Sequence, residues 1–281
     1  MKPNQANFCG GAFSDWLEVN LTDKCNGTCS WCIEKQGYHP KTHVDWTTLA
    51  EKIEDYGAHN VILLGGEPTL YRDIAPLIAR LANNGHDVWI TTNGSSLSPE
   101  YVRSLSGIHG VNISIHHYDL SANKNITGID LDERMLTSAI DILHGMGASI
   151  RLNCNCIIGE IDSEAEIRRY ISFAKDIHAD KVRFAELKQS NGKFVDLAKI
   201  FNYRYGLNDN PFIHGCIHDV IINNMPVNLR QMCGIQTPRR KRIERPEQVT
   251  KQVLYYDGCL YNGWQRKDDS STHTSGDGCC Y

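Results

Sequence analysis

Three cysteines stand close together near the start of the chain, at Cys25, Cys29 and Cys32. Thiolates are the ligands that zinc and iron–sulfur clusters prefer among the biological metals. A structural zinc site takes four protein ligands, and no fourth thiol or imidazole follows at a motif-like distance. Three thiolates on a [4Fe–4S] cluster leave one iron open to an exogenous ligand. The spacing therefore favours a three-cysteine iron–sulfur site, with two alternatives: zinc with a distant fourth ligand, and unrelated buried cysteines.

The composition constrains where such a site would work. The chain has 281 residues and 11 cysteines, an odd number, which argues against a secreted disulfide scaffold. We find no run of the ~18 apolar residues that a membrane span needs, and no apolar core of a signal peptide at the start. With 29 Lys and Arg against 33 Asp and Glu, the chain has no overall basic field. We predict a cytoplasmic protein without a membrane partner, and nucleic acid is not favoured as a partner.

Alternating elements must position the cysteines. Apolar runs predict six strands, at residues 16–22, 60–64, 87–92, 110–115, 149–158 and 181–187. Helical spacing predicts helices between them, at residues 47–56, 72–83, 98–106, 132–146 and 163–177. Such alternation indicates parallel strands with right-handed crossovers, and six units are too few to close an eight-stranded barrel.

We therefore predict an α/β fold, a partial (βα)6 TIM-like barrel over residues 14–190. A short N-terminal segment, residues 1–13, precedes it. An irregular C-terminal extension, residues 191–281, would carry a substrate region, a hairpin with a type I′ turn at Asp257-Gly258, and a mobile tail.

A second motif follows the second predicted strand, where Gly65, Gly66, Glu67 and Pro68 stand in sequence. Alone, the two glycines would indicate a tight turn between strand and helix. Together with the CxxxCxxC spacing and the aromatic Trp31 before the third cysteine, however, this chain resembles the radical S-adenosylmethionine (radical SAM) superfamily. The resemblance covers roughly residues 14–190.

The resemblance implies roles for the matching residues. Cys25, Cys29 and Cys32 would bind three irons of a [4Fe–4S] cluster, and SAM would bind the fourth. Gly65, Gly66 and Glu67 would receive the methionyl amino group of SAM, and Trp31 would border the adenine. The implied enzyme cleaves SAM reductively to a 5′-deoxyadenosyl radical, which abstracts hydrogen from a substrate, and it needs an electron donor such as flavodoxin or ferredoxin.

Polar residues at the other strand ends complete the predicted site. The resemblance implies that Thr92, Asn93 and Ser114 also contact SAM. Arg151, Asn153 and Asn155 alternate along one strand, so they share one face of the sheet. The resemblance implies that the first two bind SAM. Candidate substrate contacts are Asn155, His116 and Glu186, the last within a segment resembling the molybdenum-cofactor cyclase branch.

The C-terminal extension holds the least certain candidates. An auxiliary iron–sulfur cluster would draw its ligands from Cys216, Cys233, Cys259, Cys279 and Cys280. His214, Cys216 and His218 with Cys233 are an alternative zinc site, and buried or free thiols are the third interpretation. A basic run that includes Arg239, Arg240 and Arg242 is a candidate contact for an anionic substrate.

The leading hypothesis is a radical SAM enzyme acting on a small-molecule or nucleotide-like substrate. One alternative is a glycyl-radical activase or peptide maturase acting on a protein or peptide, although only about 13 residues precede the predicted barrel. Another is an enzyme of a tRNA-base or deazapurine pathway, which would use the basic run. The last is a non-catalytic iron–sulfur or zinc protein, against which the Gly65–Pro68 motif argues.

Overall fold

The computed structural model describes residues 15–188, 192–205, 217–232 and 252–265. The strands are β1 Trp16–Asn20, β2 Asn60–Leu64, β3 Asp87–Thr92, β4 Gly110–Ser114, β5 Ser149–Asn155, β6 Lys181–Ala185, β7 Ile217–Ile222, β8 Met225–Arg230, β9 Gln252–Tyr255 and β10 Leu260–Asn262. The helices are α1 Trp46–Tyr56, α2 Ile74–Asn83, α3 Pro99–Arg103, α4 Leu120–Thr127, α5 Glu133–Gly145, α6 Glu164–Asp176 and α7 Leu197–Tyr205.

All ten strands belong to one sheet, in the order β10-β9-β1-β2-β3-β4-β5-β6-β8-β7. Strands β1 to β6 are neighbours in sequence order and parallel, so the predicted partial barrel is confirmed. The residues after 190 extend this sheet at both edges. Strand β9 runs parallel to β1, and β8 runs parallel to β6. The carboxyl ends of eight strands therefore meet at one edge of the sheet.

The two faces of the sheet differ in burial. Along β5, buried residues such as Ile150 and Leu152 alternate with half-buried polar ones such as Arg151 and Asn153. The buried set belongs to the main apolar core, together with the buried sides of α1, α2, α5 and α6. The other set forms what we call the inner face. This alternation, which follows from the two-residue period of a strand, puts polar side chains where a barrel encloses its ligand.

Local sequence signals fix the helix ends. In α1, the Asp45 carboxylate accepts a hydrogen bond from Thr48 N at 2.9 Å, and Gly57 ends the helix with φ of 74°. Helix α4, which we did not predict, has the same signals: Asp119 caps its start and Gly128 its end, with φ of 76°.

The described residues of the extension form two hairpins, and the turn type of one differs from the prediction. Asn223 and Asn224, with φ of 51° and 60°, form the two-residue turn between β7 and β8. Between β9 and β10, only Gly258 has a positive φ, 77°, and Tyr255 N donates to Cys259 O at 3.0 Å. The predicted type I′ turn at Asp257-Gly258 is therefore wrong, because that turn needs positive φ at both central residues.

Candidate active site at the carboxyl ends of the strands

The loop after β1 carries the three cysteines, and two neighbouring loops hold it in place. Thr28 N donates to Thr127 O at 2.7 Å, at the end of α4. Asn26 Nδ2 donates to Ser95 Oγ at 2.9 Å, while Asn93 Nδ2 donates to Asn26 Oδ1 at 2.8 Å. The cysteine loop is thus fixed against the segments that follow β3 and α4.

The three thiols lie close enough to influence one another. Burial, and after it the charges of the neighbouring Cys32 and Cys25 thiolates, raise the pKa of Cys29 to about 11. Burial also raises the pKa of Cys25, whereas the hydrogen bond that Gly27 N donates to its Sγ at 3.2 Å lowers it. Such a set would be ionised only with positive charge beside it, which the iron of a cluster supplies. The donor chemistry and the proximity of the thiols fit a [4Fe–4S] cluster.

The loop after β2 packs directly on the cysteine loop. Gly66 N donates to Thr22 O at 2.6 Å, and Glu67 N donates to Lys24 O at 2.7 Å. A Cβ on Gly66 would clash with the Lys24 carbonyl, and one on Gly65 would lie 2.5 Å from Thr22 O. Both glycines are needed because backbone passes against backbone here.

The Glu67 carboxylate is buried and takes four hydrogen bonds from the protein itself. Oε1 accepts from Thr69 N at 3.1 Å, from Thr69 Oγ1 at 2.6 Å and from Thr92 Oγ1 at 2.6 Å; Oε2 accepts from Asn93 N at 2.7 Å. The side chain therefore ties the β2 loop to the end of β3. Its oxygens are thus engaged by donors of the protein itself.

The structure corrects the expectation for Thr92. Its side chain is 1% exposed, and its hydroxyl donates to Glu67 while accepting from Gly94 N at 3.1 Å. The register puts the preceding residue, Thr91, on the inner face with Asn112, whose Nδ2 donates to Thr91 Oγ1 at 3.1 Å. Thr92 thus positions Glu67 rather than facing the site.

The end of β4 brings Ser114 and His116 toward the cysteine loop. Ser114 is paired in register with Asn153 and lies on the inner face. The His116 ring, 6% exposed, meets the Trp31 ring edge-on, with the centroids 5.4 Å apart. Sequence reasoning had named these residues separately; the fold brings Trp31 and His116 together.

Three arginines gather on the inner face at β5, β6 and β8. Arg151 Nε donates to Asn153 Oδ1 at 3.1 Å, and Arg183 Nε donates to Asn228 Oδ1 at 2.7 Å. Burial, and after it the charge of Arg230, lower the pKa of Arg151 to about 10, while the charge of Asp219 acts in the opposite direction. Burial, then Arg151 and Arg230, lower the pKa of Arg183. Asp219, which also lies 3.3 Å from Lys181, and Glu18 act on this cluster as opposite charges, against three guanidinium groups.

Glu186 does not line this space, which corrects the expectation for it. It is 4% exposed, Oε1 accepts from Leu197 N at 3.0 Å, and Oε2 accepts from Met232 N at 2.7 Å. The carboxylate thus joins the start of α7 to the end of β8. Asn155, by contrast, is half-buried on the inner face, and its N–H donates to His116 Nδ1 at 3.1 Å.

The candidate ligands of the extension are only partly described. Cys259 is exposed beside the turn of the β9–β10 hairpin. His218 is buried, and its Nε2 lies 3.1 Å from Gln231 Oε1. Cys216, Cys233, Cys279, Cys280, His214, Arg239, Arg240 and Arg242 lie outside the described residues. Among the residues that are described, no three His, Cys, Asp or Glu side chains are placed to hold a single metal ion.

Residues 252–265 pack on the segment that follows Cys32. Trp264 Nε1 donates to the buried Glu18 carboxylate at 2.8 Å, and Tyr38 N donates to Gln265 O at 3.0 Å. Ile33 packs on the small apolar cluster of Val253, Tyr255 and Trp264. The C-terminal strands are therefore part of the support of the cysteine loop.

Sequence reasoning missed several of these residues. Arg230 lies on a strand that we did not predict, although the Asn223-Asn224 pair between apolar runs is a hairpin signal. Arg183 shares a strand face with Lys181, so the two-residue period could have placed it on the inner face. Asn26 and Thr127 gave no signal, because their contacts join loops distant in sequence.

Comparison with known proteins identifies the family. The model of the Radical SAM superfamily matches residues 19–171, more than half of the chain. The chain belongs to the radical SAM superfamily. It is accordingly an enzyme of the radical SAM class, a family whose members use a [4Fe–4S] cluster and SAM, and the non-catalytic alternative is wrong.

Named relatives share this region. A probable GTP 3′,8-cyclase of Saccharolobus islandicus (strain M.14.25 / Kamchatka #1) is 29% identical over 180 residues, covering 61% of this chain and 56% of that protein. The GTP 3′,8-cyclase of Pasteurella multocida (strain Pm70) is 27% identical over 190 residues, covering 62% and 54%. The chain thus spans about half the length of the curated relatives it matches.

Solved structures share the fold. Streptococcus suis SuiB bound to S-adenosylmethionine aligns with a TM-score of 0.62 at 16% identity, covering 93% of this chain and 65% of that chain. Native anSMEcpe with bound AdoMet and Cp18Cys peptide aligns with a TM-score of 0.58 at 14% identity, covering 88% and 73%. In the described part of this chain, no helix has the length and apolar character needed to cross a membrane.

Proposed function

We propose that this enzyme binds a [4Fe–4S] cluster through Cys25, Cys29 and Cys32 and cleaves SAM reductively to a 5′-deoxyadenosyl radical, which abstracts hydrogen from a small-molecule or nucleotide-like substrate. One observation carries the proposal: the loop that holds the three cysteines is packed against the Gly65–Glu67 loop, through bonds from Gly66 N to Thr22 O and from Glu67 N to Lys24 O, at the carboxyl-end edge of a parallel sheet. The bound cluster supplies the electron, which reaches it from a donor such as flavodoxin or ferredoxin.

The chain's own residues then have three tasks. The backbone of Gly65 and Gly66 receives the methionyl amino group, since the Glu67 carboxylate is committed to internal donors. Ser114 and Asn153 face the site from β4 and β5. The inner face holds the substrate next to the bound SAM and limits access of water, which is what a radical reaction requires of the protein.

The cluster of Arg151, Arg183 and Arg230 supports a substrate with an anionic group. Their guanidinium groups present planar donors suited to phosphate oxygens, and each lies close enough for its charge to act on the others. The relatives named GTP 3′,8-cyclase act on a nucleotide by that name. We therefore favour a nucleotide-like, phosphate-bearing substrate for this enzyme.

Reconstitution under anaerobic conditions tests the cofactor. We expect about four Fe per chain. Cys25→Ala, Cys29→Ala and Cys32→Ala should each abolish formation of methionine and 5′-deoxyadenosine from SAM with dithionite. Cys154→Ala is the matched control, because this thiol is buried in the apolar core and lies outside the cysteine loop. The proposal would be contradicted if the three site variants bound as much iron and cleaved as much SAM as the wild type.

Nucleotide binding tests the substrate class. With GTP as the probe, Arg151→Gln and Arg183→Gln should each weaken binding about tenfold, the scale of one charged hydrogen-bonding contact. Arg134→Gln changes an exposed arginine of α5 and serves as the control. If both inner-face variants bind GTP with the same affinity as the wild type, the anion site is elsewhere.

A further inference from the structure

The backbone N–H of Gly27 is directed at the first cysteine of the loop. It donates to Cys25 Sγ at 3.2 Å. A donor on a cluster thiolate stabilises the extra negative charge that the cluster takes up on reduction, and hydrogen bonds to the sulfurs are among the factors that set the reduction potential of an iron–sulfur cluster. The groups that hold Gly27 in this place therefore bear on the electron transfer of the proposed function.

Asn26 stands between Cys25 and Gly27, and both ends of its side-chain amide are held. Its Nδ2 donates to Ser95 Oγ at 2.9 Å, and its Oδ1 accepts from Asn93 Nδ2 at 2.8 Å. Ser95 N in turn donates to Asn93 Oδ1 at 2.9 Å. These bonds close a cycle through three residues, which we call the Asn26–Asn93–Ser95 network.

The direction of the bonds in this network is fixed by its one backbone donor. Ser95 N–H can only donate, so the atom of Asn93 that faces it must be the amide oxygen. The nitrogen of Asn93 then faces Asn26, whose own oxygen must accept from it. Asn26 thus has one defined orientation although the residue is exposed to solvent.

Both neighbours of Gly27 are tied to the rest of the fold. On one side, Asn93 N donates to the buried Glu67 carboxylate at 2.7 Å, which anchors the network to the loop after β2. On the other side, Thr28 N donates to Thr127 O at 2.7 Å, at the end of α4. Gly27 is therefore held between two residues that are fastened to different loops.

We propose that Asn26 is a positioning residue that keeps the Gly27 N–H on the Cys25 thiolate and so raises the reduction potential of the bound cluster. This inference rests on the proposed function, since it takes Cys25 as a ligand of the cluster. Without the network, the peptide between Asn26 and Gly27 is free to rotate, because glycine has wide backbone freedom. The thiolate then loses a donor, and one-electron reduction of the cluster by dithionite, flavodoxin or ferredoxin becomes less favourable.

Three substitutions separate positioning from other effects, and none of them changes the net charge. Asn26→Ala breaks the network at the residue that follows Cys25. Ser95→Ala removes the acceptor of Asn26 Nδ2 but leaves the Asn26 amide itself beside the cluster. Asn125→Ala, at an exposed position of α4, is the matched control.

The experiment measures the midpoint potential of the cluster by EPR-monitored redox titration without SAM, on proteins matched for iron content. We expect Asn26→Ala to make reduction about fivefold less favourable, a shift of ~40 mV to more negative potential at about 59 mV per tenfold change. Ser95→Ala should shift the potential in the same direction by a smaller amount, and Asn125→Ala should match the wild type. Resonance Raman spectra should show a changed Fe–S(Cys) stretching frequency in Asn26→Ala and an unchanged one in Asn125→Ala.

Each other outcome has a defined meaning. The inference would be overturned if Asn26→Ala and Ser95→Ala had the potential of the wild type, or a more positive one. A shift in Asn26→Ala alone would show that its amide acts directly on the cluster, which contradicts a positioning role.

Ser95→Ala also decides the case in which Asn26→Ala does not hold a cluster, because it leaves the sequence of the cysteine loop unchanged. A negative shift in Ser95→Ala would then support the inference, and a potential equal to that of the wild type would refute it. Failure of the wild type to bind a [4Fe–4S] cluster would instead contradict the proposed function, so the two failures are distinguishable.

Discussion

Glu67 illustrates how a residue of a ligand-binding motif can act through its neighbours. A carboxylate beside a pair of glycines suggests a direct contact with an ammonium group. In this fold the same carboxylate accepts hydrogen bonds from Thr69, Thr92 and Asn93, and it is 1% exposed. We interpret it as the residue that holds two strand-end loops in one arrangement.

We therefore predict that Glu67→Gln destabilises the protein. A glutamine offers an amide N–H2 where the carboxylate has its second acceptor oxygen, so one donor of Thr69, Thr92 or Asn93 loses its partner. The expected loss in the free energy of unfolding is about 1–3 kcal/mol, measured by denaturant unfolding. Glu51→Gln, at an exposed position of α1, should leave the unfolding midpoint unchanged. A Glu67→Gln variant as stable as the wild type would show that these bonds contribute nothing.

Side-chain alternation predicted part of the site but not all of it. The two-residue period put Arg151 and Asn153 on one face, and both lie on the inner face. For Thr92 the expectation came from the resemblance, and the two-residue period of β3 puts its side chain on the buried face with Val88 and Ile90. Glu186 lies just beyond a strand, where the period no longer applies and tertiary contacts decide.

At the scale of elements, the loops after β1 and β2 behave as one unit. Leu21 N donates to Leu64 O at 2.8 Å, and the bonds to Thr22 O and Lys24 O continue the ladder past the end of the strands. Gly66 lies against the Lys24 carbonyl. Because Cys25 directly follows Lys24, the position of Cys25 depends on that close approach.

Gly66→Ala should therefore disturb the cluster site more than the fold. The added methyl group would displace the Lys24 backbone, and we expect the variant to retain less than half of the wild-type iron after reconstitution, measured by iron analysis. Gly145→Ala is the matched control: its added Cβ would meet nothing within 4 Å, and alanine favours the helix. Full iron retention in Gly66→Ala would show that the loop adjusts without cost to the site.

The order of elements was predictable wherever apolar periodicity was strong. Strands β2 and β3 have the predicted bounds, and the six parallel strands follow the predicted order. Helix α4 was missed because its sequence, LSANKNIT, is mostly polar and its stability depends on the caps at Asp119 and Gly128. Strands β7 and β8 were not predicted because polar residues such as His218 and Asp219 interrupt the apolar pattern of β7.

At the scale of the whole molecule, the described C-terminal strands join the beginning of the chain. Residue 264 contacts residue 18 through the bond from Trp264 Nε1 to Glu18 Oε2, and Val44 N donates to Tyr256 O at 2.9 Å. The segment after Cys32 is therefore held on one side by the barrel and on the other by residues 252–265. Long-range contacts of this kind follow from no local pattern in the sequence.

Trp264→Phe tests that support. It removes one donor to the Glu18 carboxylate and should lower the free energy of unfolding by about 1–3 kcal/mol, with faster loss of iron under chelation. Trp16→Phe is the matched control, because Trp16 is 41% exposed at the opposite end of β1. If Trp264→Phe and Trp16→Phe lost iron at the same rate, the contact of residues 252–265 with the segment after Cys32 would not stabilise the cluster.

The most direct test of the account is the reductive cleavage of SAM by the reconstituted chain with dithionite, with methionine and 5′-deoxyadenosine measured together. We expect the wild type to form both products in equal amounts, and the Cys25→Ala, Cys29→Ala, Cys32→Ala triple variant to form neither. Formation of 5′-deoxyadenosine by the triple variant, or intact SAM after incubation with iron-loaded wild type, would contradict the central claim that these three thiols hold the reactive cluster.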